Sequence, residues 1–282
     1  MSESVTSPTS SQWQRLLKNA GTWEGSFAKI SPSGELISQV RTEVELTPSN
    51  DGKAMHQEVR RYPENDSPNI QTLDYSSLNR ATLFFENGAF SQGSTQWGPF
   101  STFGAELGLI SGNRRLRLVQ LFDKDELKPF TLIQEHLRGT DTVEQLPLSI
   151  TDLVGTWQGE AITQYADLRP ETQASTQLTI EQITPSQVQQ TLSLGTGSSP
   201  ISSVGQISGS RIVFDSNTQP IQVLLLPAGA SATCPAKINP RQPIFLEVGW
   251  LIDSTTRQRL IRRYDASGAW VSLTLVCEQK KA

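Results

Sequence analysis

A five-residue phrase occurs twice in this chain of 282 residues, as GTWEG at 21–25 and as GTWQG at 155–159. Further pairs of similar segments follow the two phrases in the same order: VELTPS with IEQITPS, AELGLI with LEVGWLI, RLRLVQLFD with RQRLIRRYD, and FTLIQE with LTLVCE. Strand-and-turn chemistry arising twice by convergence would explain each pair, but it does not explain their shared order. The sequence therefore predicts an internal duplication, in which each half builds the same fold.

The duplication sets the predicted domain boundaries. One domain covers residues 10–140 and the second covers residues 148–282. Residues 141–147 form a polar linker that contains one proline. Residues 1–9 are mostly polar and are predicted to be a disordered tail.

Alternation of apolar and polar residues with a period of two runs through both copies, as in RLRLVQLFD and WVSLTLVCE. Such runs are typical of half-buried β-strands, and turn signals such as SPSGE, SNDG and DASGA separate them. Helical spacing occurs before the first phrase, where Trp13, Leu16 and Leu17 share a face. The sequence thus predicts an all-β protein with two antiparallel up-and-down β-barrels, each opened by a short helix. A barrel of this size has room for one small ligand.

Composition argues against several classes of protein. Hydrophobic residues make up 36% of the chain and charged residues 18%, which is typical of a globular protein with a core. A net charge of −4 without a basic segment argues against a nucleic-acid partner, and the apolar runs are too short for a transmembrane segment. The first residues lack the pattern of a secretory signal, and the two cysteines, Cys234 and Cys277, are too sparse for a disulfide framework. We therefore expect a cytoplasmic protein without a structural zinc site.

A Gly-x-Trp on the first strand, together with an arginine on a late strand, resembles the calycin (lipocalin-like) superfamily. The second copy, through GTWQGE and RLIRRYDASGAWVSLTLVCE, is more closely similar to a family of uncharacterised cyanobacterial proteins with two calycin-like halves. That family is related at fold level to the S-type and T-type phycobilin lyases. The resemblance covers most of the chain.

The resemblance implies a structural role for the tryptophans of the repeated phrase. Trp23 and Trp157 are expected at the floors of the barrels, where an arginine guanidinium can stack on the face of the indole. The expected partner is Arg117 in the first copy and either Arg259 or Arg262 in the second.

Candidate ligand contacts concentrate in the second copy. Its late strands supply an acid, two arginines suited to a ligand carboxylate, and three aromatic side chains suited to a flat apolar ligand. Each of these side chains also has an interpretation without a ligand. The acid would face solvent, the arginines would be solvated or structural, and the aromatic side chains would belong to the core. The predicted ligand-binding residues are Glu247, Trp250, Arg259, Arg262, Tyr264 and Trp270.

The first copy departs from this pattern. Its segment DKDELKPF replaces DASGAWVSL, and Gln120 stands where the second copy has Arg262. Glu106 is the counterpart of Glu247. The second copy is therefore predicted to hold the ligand, and the first copy to be mainly its packing partner.

Histidine and cysteine offer two other binding chemistries. His136 follows the last strand of the first copy and is a candidate axial ligand for haem, as in nitrobindin-type barrels; a surface histidine, like His56, is the simpler interpretation. Cys234 and Cys277 suggest a thioether link to a chromophore, whereas a small buried thiol is the simpler interpretation for both.

The sequence contains no nucleophile elbow, P-loop, dinucleotide fingerprint or fixed pair of acid/base carboxylates, so binding is favoured over catalysis. The Gly- and Ser-rich segment 194–200 is predicted to be a loop. The leading hypothesis is a protein that binds a hydrophobic or amphipathic small molecule, either lipid-like or a pigment such as a bilin. The resemblance implies an alternative, a phycobilin lyase or chaperone acting on a phycobiliprotein-like client. A third hypothesis is a non-catalytic scaffold whose barrels are filled with side chains.

Overall fold

The computed structural model describes residues 10–141, 145–195, 199–215 and 218–281. The predicted tail lies outside the described residues, as do parts of the predicted linker and of the 194–200 loop. The first half contains helix α1 (Gln12–Leu16), a 3-10 turn (Leu17–Asn19) and strands β1 (Gly21–Ile30), β2 (Leu36–Ser49), β3 (Ala54–Tyr62), β4 (Asn69–Tyr75), β5 (Thr82–Phe84), β6 (Phe90–Gly93), β7 (Thr102–Ser111), β8 (Arg114–Asp123), β9 (Glu126–Leu127) and β10 (Phe130–Leu137). The second half contains helix α2 (Ile150–Leu153) and strands β11 (Gly155–Tyr165), β12 (Thr172–Thr184), β13 (Gln187–Leu194), β14 (Ile201–Ser208), β15 (Arg211–Phe214), β16 (Ile221–Leu225), β17 (Ala230–Pro235), β18 (Ile244–Leu251), β19 (Thr256–Tyr264) and β20 (Trp270–Lys280).

Two antiparallel sheets make up the fold. In the second half, β11 to β20 neighbour one another in sequence order and close into a barrel. In the first half, the order is β4-β3-β2-β1-β10-β8-β7-β6-β5, and β9 pairs with β8. The predicted class, all-β with two up-and-down barrels that each follow a short helix, is confirmed. The first barrel differs from the second in that it is open between β4 and β5.

The opening in the first barrel has a simple cause, a missing strand. The turn between β5 and β6 is closed by a hydrogen bond from the Phe85 amide to the Ala89 carbonyl, and Leu226 and Ala230 make the same bond between β16 and β17. Strands β5 and β6 therefore correspond to β16 and β17. In the second half β15 lies between β14 and β16, whereas residues 76–81 connect β4 to β5 without a strand. One wall of the first barrel is thus unpaired.

The glycines of the repeated phrase are required by the backbone. Gly21 and Gly155 open the first strands of the two halves with φ of +126° and +128°, a conformation that L side chains rarely adopt. At Gly25 a Cβ would lie 1.8 Å from a carbonyl oxygen of β10, and at Gly159 it would lie 2.0 Å from a carbonyl oxygen of β20. The phrase therefore lets the first strand of each barrel approach the last strand closely.

Each tryptophan of the phrase ties its strand to the preceding helical segment. Trp23 Nε1 donates to the Asn19 carbonyl oxygen, and Trp157 Nε1 donates to the Leu153 carbonyl oxygen, both at 2.9 Å. Both indoles are buried in apolar clusters at the helix end of their barrels, which we call the floor. The tryptophans thus anchor the helical segment that covers each floor.

The arginine beside each tryptophan differs from the expected one. The Arg115 guanidinium carbon lies 4.4 Å from the centroid of the Trp23 ring, and that of Arg257 lies 5.3 Å from the centroid of a Trp157 ring. The arginines expected there are Arg117, Arg259 and Arg262. The first two lie two residues further along the same strands. Alternation fixes the face on which a side chain lies, but it does not fix its height in the barrel.

The two halves pack against each other through the outer faces of their late strands. One hydrophobic cluster joins buried side chains of β7 and β8 to those of β18 and β19, including Phe103, Leu118, Leu246 and Leu260. Two smaller clusters occupy the floors. The largest apolar core of the molecule is thus shared by the two halves, which explains why each half has one strongly apolar outer face.

Candidate functional site

Two arginines and two glutamates form a buried ion cluster above the floor of the first barrel. Arg117 bridges the two acids, since Nη1 lies 2.6 Å from Glu106 Oε1 and Nη2 lies 2.8 Å from Glu135 Oε1. Arg115 Nε lies 2.7 Å from Glu135 Oε2. Strands β7, β8 and β10 supply these side chains, and the two arginines share a face because they are two residues apart. Positive and negative charges balance within the cluster.

The second barrel repeats this ion cluster with the corresponding residues of the duplication. Arg259 Nε lies 2.8 Å from Glu247 Oε1, and Nη1 lies 3.8 Å from Glu278 Oε2. Arg257 Nε lies 2.7 Å from Glu278 Oε1, in an ion pair without hydrogen-bond geometry. Glu247 and Arg259, both predicted as ligand contacts, are therefore each other's partners inside the second barrel.

Electrostatics hold the first cluster in its ionised form. Burial alone would raise the pKa of Glu135, but Arg115 and Arg117 outweigh burial and hold that pKa at about 2. Burial alone would lower the pKa of Arg117, but Glu135 and Glu106 outweigh it and raise that pKa. A carboxylate as acidic as Glu135 stays deprotonated near neutral pH, so it has no proton to give as a general acid.

The six predicted ligand contacts lie on two opposite faces of the second sheet. Glu247 and Arg259 lie on the inner face. The outer face, covered by the first half, carries Trp250, Arg262, Tyr264 and Trp270. Residues at odd spacing along β18 and β19 point to opposite sides, so the structure does not bring the six side chains into one pocket.

Arg262 joins the two halves. It is 0% exposed, its guanidinium carbon lies 3.6 Å from the centroid of a Trp270 ring, and Nε donates to the Tyr264 hydroxyl at 2.8 Å. Its Nη1 and Nη2 donate to the carbonyl oxygens of Ala81 and Ser94 in the first half, both at 3.1 Å. All three guanidinium nitrogens are therefore engaged, and burial lowers the pKa of this arginine.

Gln120 makes the reciprocal contact from the first half. Its Nε2 donates to the Glu247 carbonyl oxygen at 2.7 Å, in the buried interface. Gln120 occupies the position that Arg262 has in the second copy. Glutamine in place of arginine thus still contacts the other half, but it binds a different carbonyl group.

The histidines lie away from the barrel interiors. His136 Nε2 lies 3.8 Å from Glu24 Oε2, and His56 Nδ1 lies 2.8 Å from Asp74 Oδ1 at an exposed position. His136 follows Glu135, which points inward, so His136 points outward. The interpretation of His136 as an axial haem ligand inside the barrel is therefore wrong.

Both cysteines are free. Cys234 is buried in the core shared by the two halves, and burial raises its pKa to about 12, which disfavours the reactive thiolate. Cys277 is exposed on β20. The expected small buried thiol therefore describes Cys234 and not Cys277.

A cavity of about 350 Å³ lies on the inner side of the first barrel, beside β5, which ends the sheet and pairs only with β6. Strands β5 to β8 and the connection between β4 and β5 form its walls. Its lining includes Asn79, Ala81, Thr82, Gln92, Ser94, Glu106, Val119 and Leu121. Alternation did not reveal this site. The available signal was the strand segment RIVF of the second half, which has no counterpart in the first.

The cavity offers both apolar surface and uncharged polar groups. Glu106, its charged lining residue, accepts hydrogen bonds from Gln92 at 2.9 Å and from Arg117 at 2.6 Å. Leu121 is 37% exposed and supplies apolar surface. Arg262 of the second half donates hydrogen bonds to the carbonyl oxygens of Ala81 and Ser94, which line the cavity. The second half therefore helps to shape the cavity of the first. The arrangement suits a ligand with one apolar part and one hydrogen-bonding part.

Within the described ranges, no group of three or more His, Cys, Asp or Glu side chains is arranged to hold a metal ion. None of the helices in the described part of the chain is long and apolar enough to cross a membrane.

The fold defines a protein of two antiparallel up-and-down β-barrels, each with a buried ion cluster. A crystal structure of a protein of unknown function from the DUF3598 family of Nostoc punctiforme PCC 73102 is 45% identical to it. The match covers 97% of this chain and 100% of that chain, with a TM-score of 0.90. The chain belongs to the DUF3598 family.

Family models match the two halves separately. Residues 9–140 match the N-terminal domain of unknown function DUF3598, and residues 144–281 match the C-terminal domain of "Biogenesis factor required for ATP synthase 1". An S-type phycobiliprotein lyase from Guillardia theta is 12% identical, over 47% of this chain and 90% of that chain, with a TM-score of 0.39. No match to a curated protein is found.

Proposed function

We propose that this protein binds a small amphipathic molecule in the cavity of the first half. The observation that best supports the proposal is the cavity itself, about 350 Å³ of space within a barrel whose wall is open on one side. The second barrel holds the same kind of ion cluster, in which Glu247 pairs with Arg259, but its wall is closed. The proposed site therefore lies in the first half, whereas the sequence pattern favoured the second.

Volume and lining define the class of ligand. Ligand pockets in proteins commonly have volumes of about 300–1,000 Å³, so this cavity is at the small end of the range. Asn79 and Thr82 offer hydrogen-bonding groups, and Val119 and Leu121 offer apolar surface. We expect an uncharged amphipathic ligand of modest size. A bilin or another large pigment would fit only one of its ends into the cavity.

Filling the cavity tests this proposal. Val119→Phe places a ring in the cavity, and Ile261→Phe makes a matched change at the equivalent position of the second barrel. Binding of Nile red, an uncharged amphipathic dye, is measured by fluorescence titration. We expect at least a tenfold loss of affinity, about 1.4 kcal/mol, for Val119→Phe and no change for Ile261→Phe. No binding to the unmodified chain, or a loss in Ile261→Phe alone, would contradict the proposal.

A second candidate function is that of a factor acting on a client protein. The match of residues 144–281 to a domain of an ATP synthase biogenesis factor favours a role on a client protein. A phycobiliprotein lyase or chaperone would also act on a client protein. Size-exclusion chromatography with the purified catalytic head of a cyanobacterial ATP synthase tests the first role. Transfer of bilin to an apo-phycobiliprotein subunit tests the second. Failure in both assays would remove this candidate.

We also propose the cytoplasm as the compartment of the protein. Its two cysteines are free thiols, one of them exposed, and such thiols persist in a reducing environment. Alkylation of Cys277 in freshly lysed cells, read by mass spectrometry, should find this thiol reduced.

A further inference from the structure

We propose that the free edge of β4 accepts an extended segment of a partner protein as an added, antiparallel strand of the first sheet. This site differs in chemistry from the small-molecule cavity and does not depend on it. Strand β4 pairs with β3 along its whole length, from Asn69 opposite Arg61 to Tyr75 opposite Met55. Its other edge pairs with no strand of the described ranges.

The free edge of β4 presents backbone groups that can pair with another chain. Outside its ladder with β3, β4 makes no backbone hydrogen bond to any described residue. Proteins commonly protect such edges with lysine, proline or a covering element. The sequence of β4, NIQTLDY, contains neither lysine nor proline. The edge therefore has the features of a site for strand addition.

Apolar side chains are exposed on both faces of β4. Ile70 is 56% exposed and Leu73 is 58% exposed. The two residues lie on opposite faces because their spacing is odd. In a closed wall, a neighbouring strand would cover apolar groups on both faces, so an added strand would bury surface that the first barrel leaves in water.

The second half shows which kind of strand occupies the equivalent place. There, β15 lies between β14 and β16 and is antiparallel to both. Its Ile212 and Phe214 are 3% and 5% exposed and lie in the floor cluster. The occupant of the first half is therefore an extended segment with two apolar residues in alternate positions, as in RIVF.

Charge refines the description of the partner. Arg80, just before β5, is exposed and makes no ion pair or hydrogen bond with a described residue. Ile221 is the counterpart of Arg80 in the second half, and it pairs with Phe214 of β15. Asp215 directly follows Phe214. An acidic residue directly after the second apolar residue of the segment would lie near Arg80, where opposite charges attract.

Hydrogen exchange with a model peptide tests the proposal. The probe is GSRIVFD, which is residues 209–215 of this chain, and the control is GSRIPFD, in which proline removes a backbone donor. Amide exchange of the full chain is measured with each peptide at about 1 mM. We expect exchange in β4 to slow at least tenfold with GSRIVFD alone, with no change in β14. Slowing in β14 instead of β4, slowing with both peptides, or no slowing would overturn the proposal.

Charged variants of the edge provide the second test. Ile70→Lys combined with Leu73→Lys puts protective lysines on β4, and Ile201→Lys is the matched control on β14, where Ile201 is 65% exposed. We expect the peptide affinity to fall at least tenfold in the double variant and to stay unchanged in the control. Equal affinities in the two variants would overturn the proposal. Nile red binding should survive the double variant, so this proposal and the small-molecule proposal can fail separately.

Discussion

At the scale of single residues, three of the four fixed positions of the repeated phrase have a structural role. The first glycine has a positive φ, the tryptophan donates to a carbonyl of the preceding helical segment, and the last glycine lets two backbones approach closely. The position that differs between the copies is Glu24 in one and Gln158 in the other, and it points away from the barrel interior. The repetition therefore reflects how the first strand of each barrel meets the preceding helical segment and the last strand.

The close approach at Gly159 makes a direct prediction about stability. In Gly159→Ala the new Cβ would lie 2.0 Å from a backbone oxygen, so the strands must separate. We expect the free energy of unfolding to fall by about 3 kcal/mol or more, measured by urea denaturation. Gly98→Ala is the control, since its Cβ would meet its nearest neighbour at 3.5 Å. Equal stability of the two variants would refute this account of the phrase.

The lowered pKa of Glu135 predicts a dependence of stability on pH. Its pKa falls from 4.5 to about 2 on folding, so its stabilising effect is complete above pH 4.5 and is lost as pH falls toward 2. Glu135→Gln removes this effect. The difference in unfolding free energy between wild type and Glu135→Gln should be large at pH 7 and shrink between pH 4.5 and pH 2. A difference that does not change with pH would contradict the assignment, and Glu64→Gln, at an exposed loop position, is the control.

At the scale of strands, β19 shows what alternation predicts and what it does not. The period-two pattern predicted strands in this part of the chain, and β19 carries arginines on both faces. The pattern could not show that Arg259 faces a glutamate inside the barrel while Arg262 faces the other half, because both environments bury arginine beside hydrogen-bond acceptors. Which face is inner depends on how the sheet curls and on what covers it, and these are properties of distant segments.

The role of Arg262 in joining the halves gives a prediction for this strand. Arg262→Lys keeps the charge but loses the planar fork that reaches two carbonyl oxygens and stacks on Trp270. We expect a loss of about 2 kcal/mol in unfolding free energy and weaker Nile red binding, because two lining carbonyls lose their donor. Arg263→Lys, one residue away and exposed, should change neither quantity. Identical behaviour of the two variants would refute the role given to Arg262.

At the scale of the whole molecule, the duplicated halves have diverged in one wall. The ordered pairs of segments predicted two barrels, and this was correct because a repeated pattern of strands must repeat its fold. The open wall was not predicted, since it results from a strand that is absent, and the segment 76–81 looks like an ordinary turn. The site that we propose lies where the two copies differ, whereas the sequence pattern favoured the late strands of the second copy.

A crystal structure of the chain with Nile red bound tests the central claim most directly. We predict density for the dye inside the first barrel, beside Thr82, Val119 and Leu121, with the ion clusters of both barrels intact. Density inside the second barrel, beside Glu247 and Arg259, would contradict the account and return the site to the half that the sequence favoured.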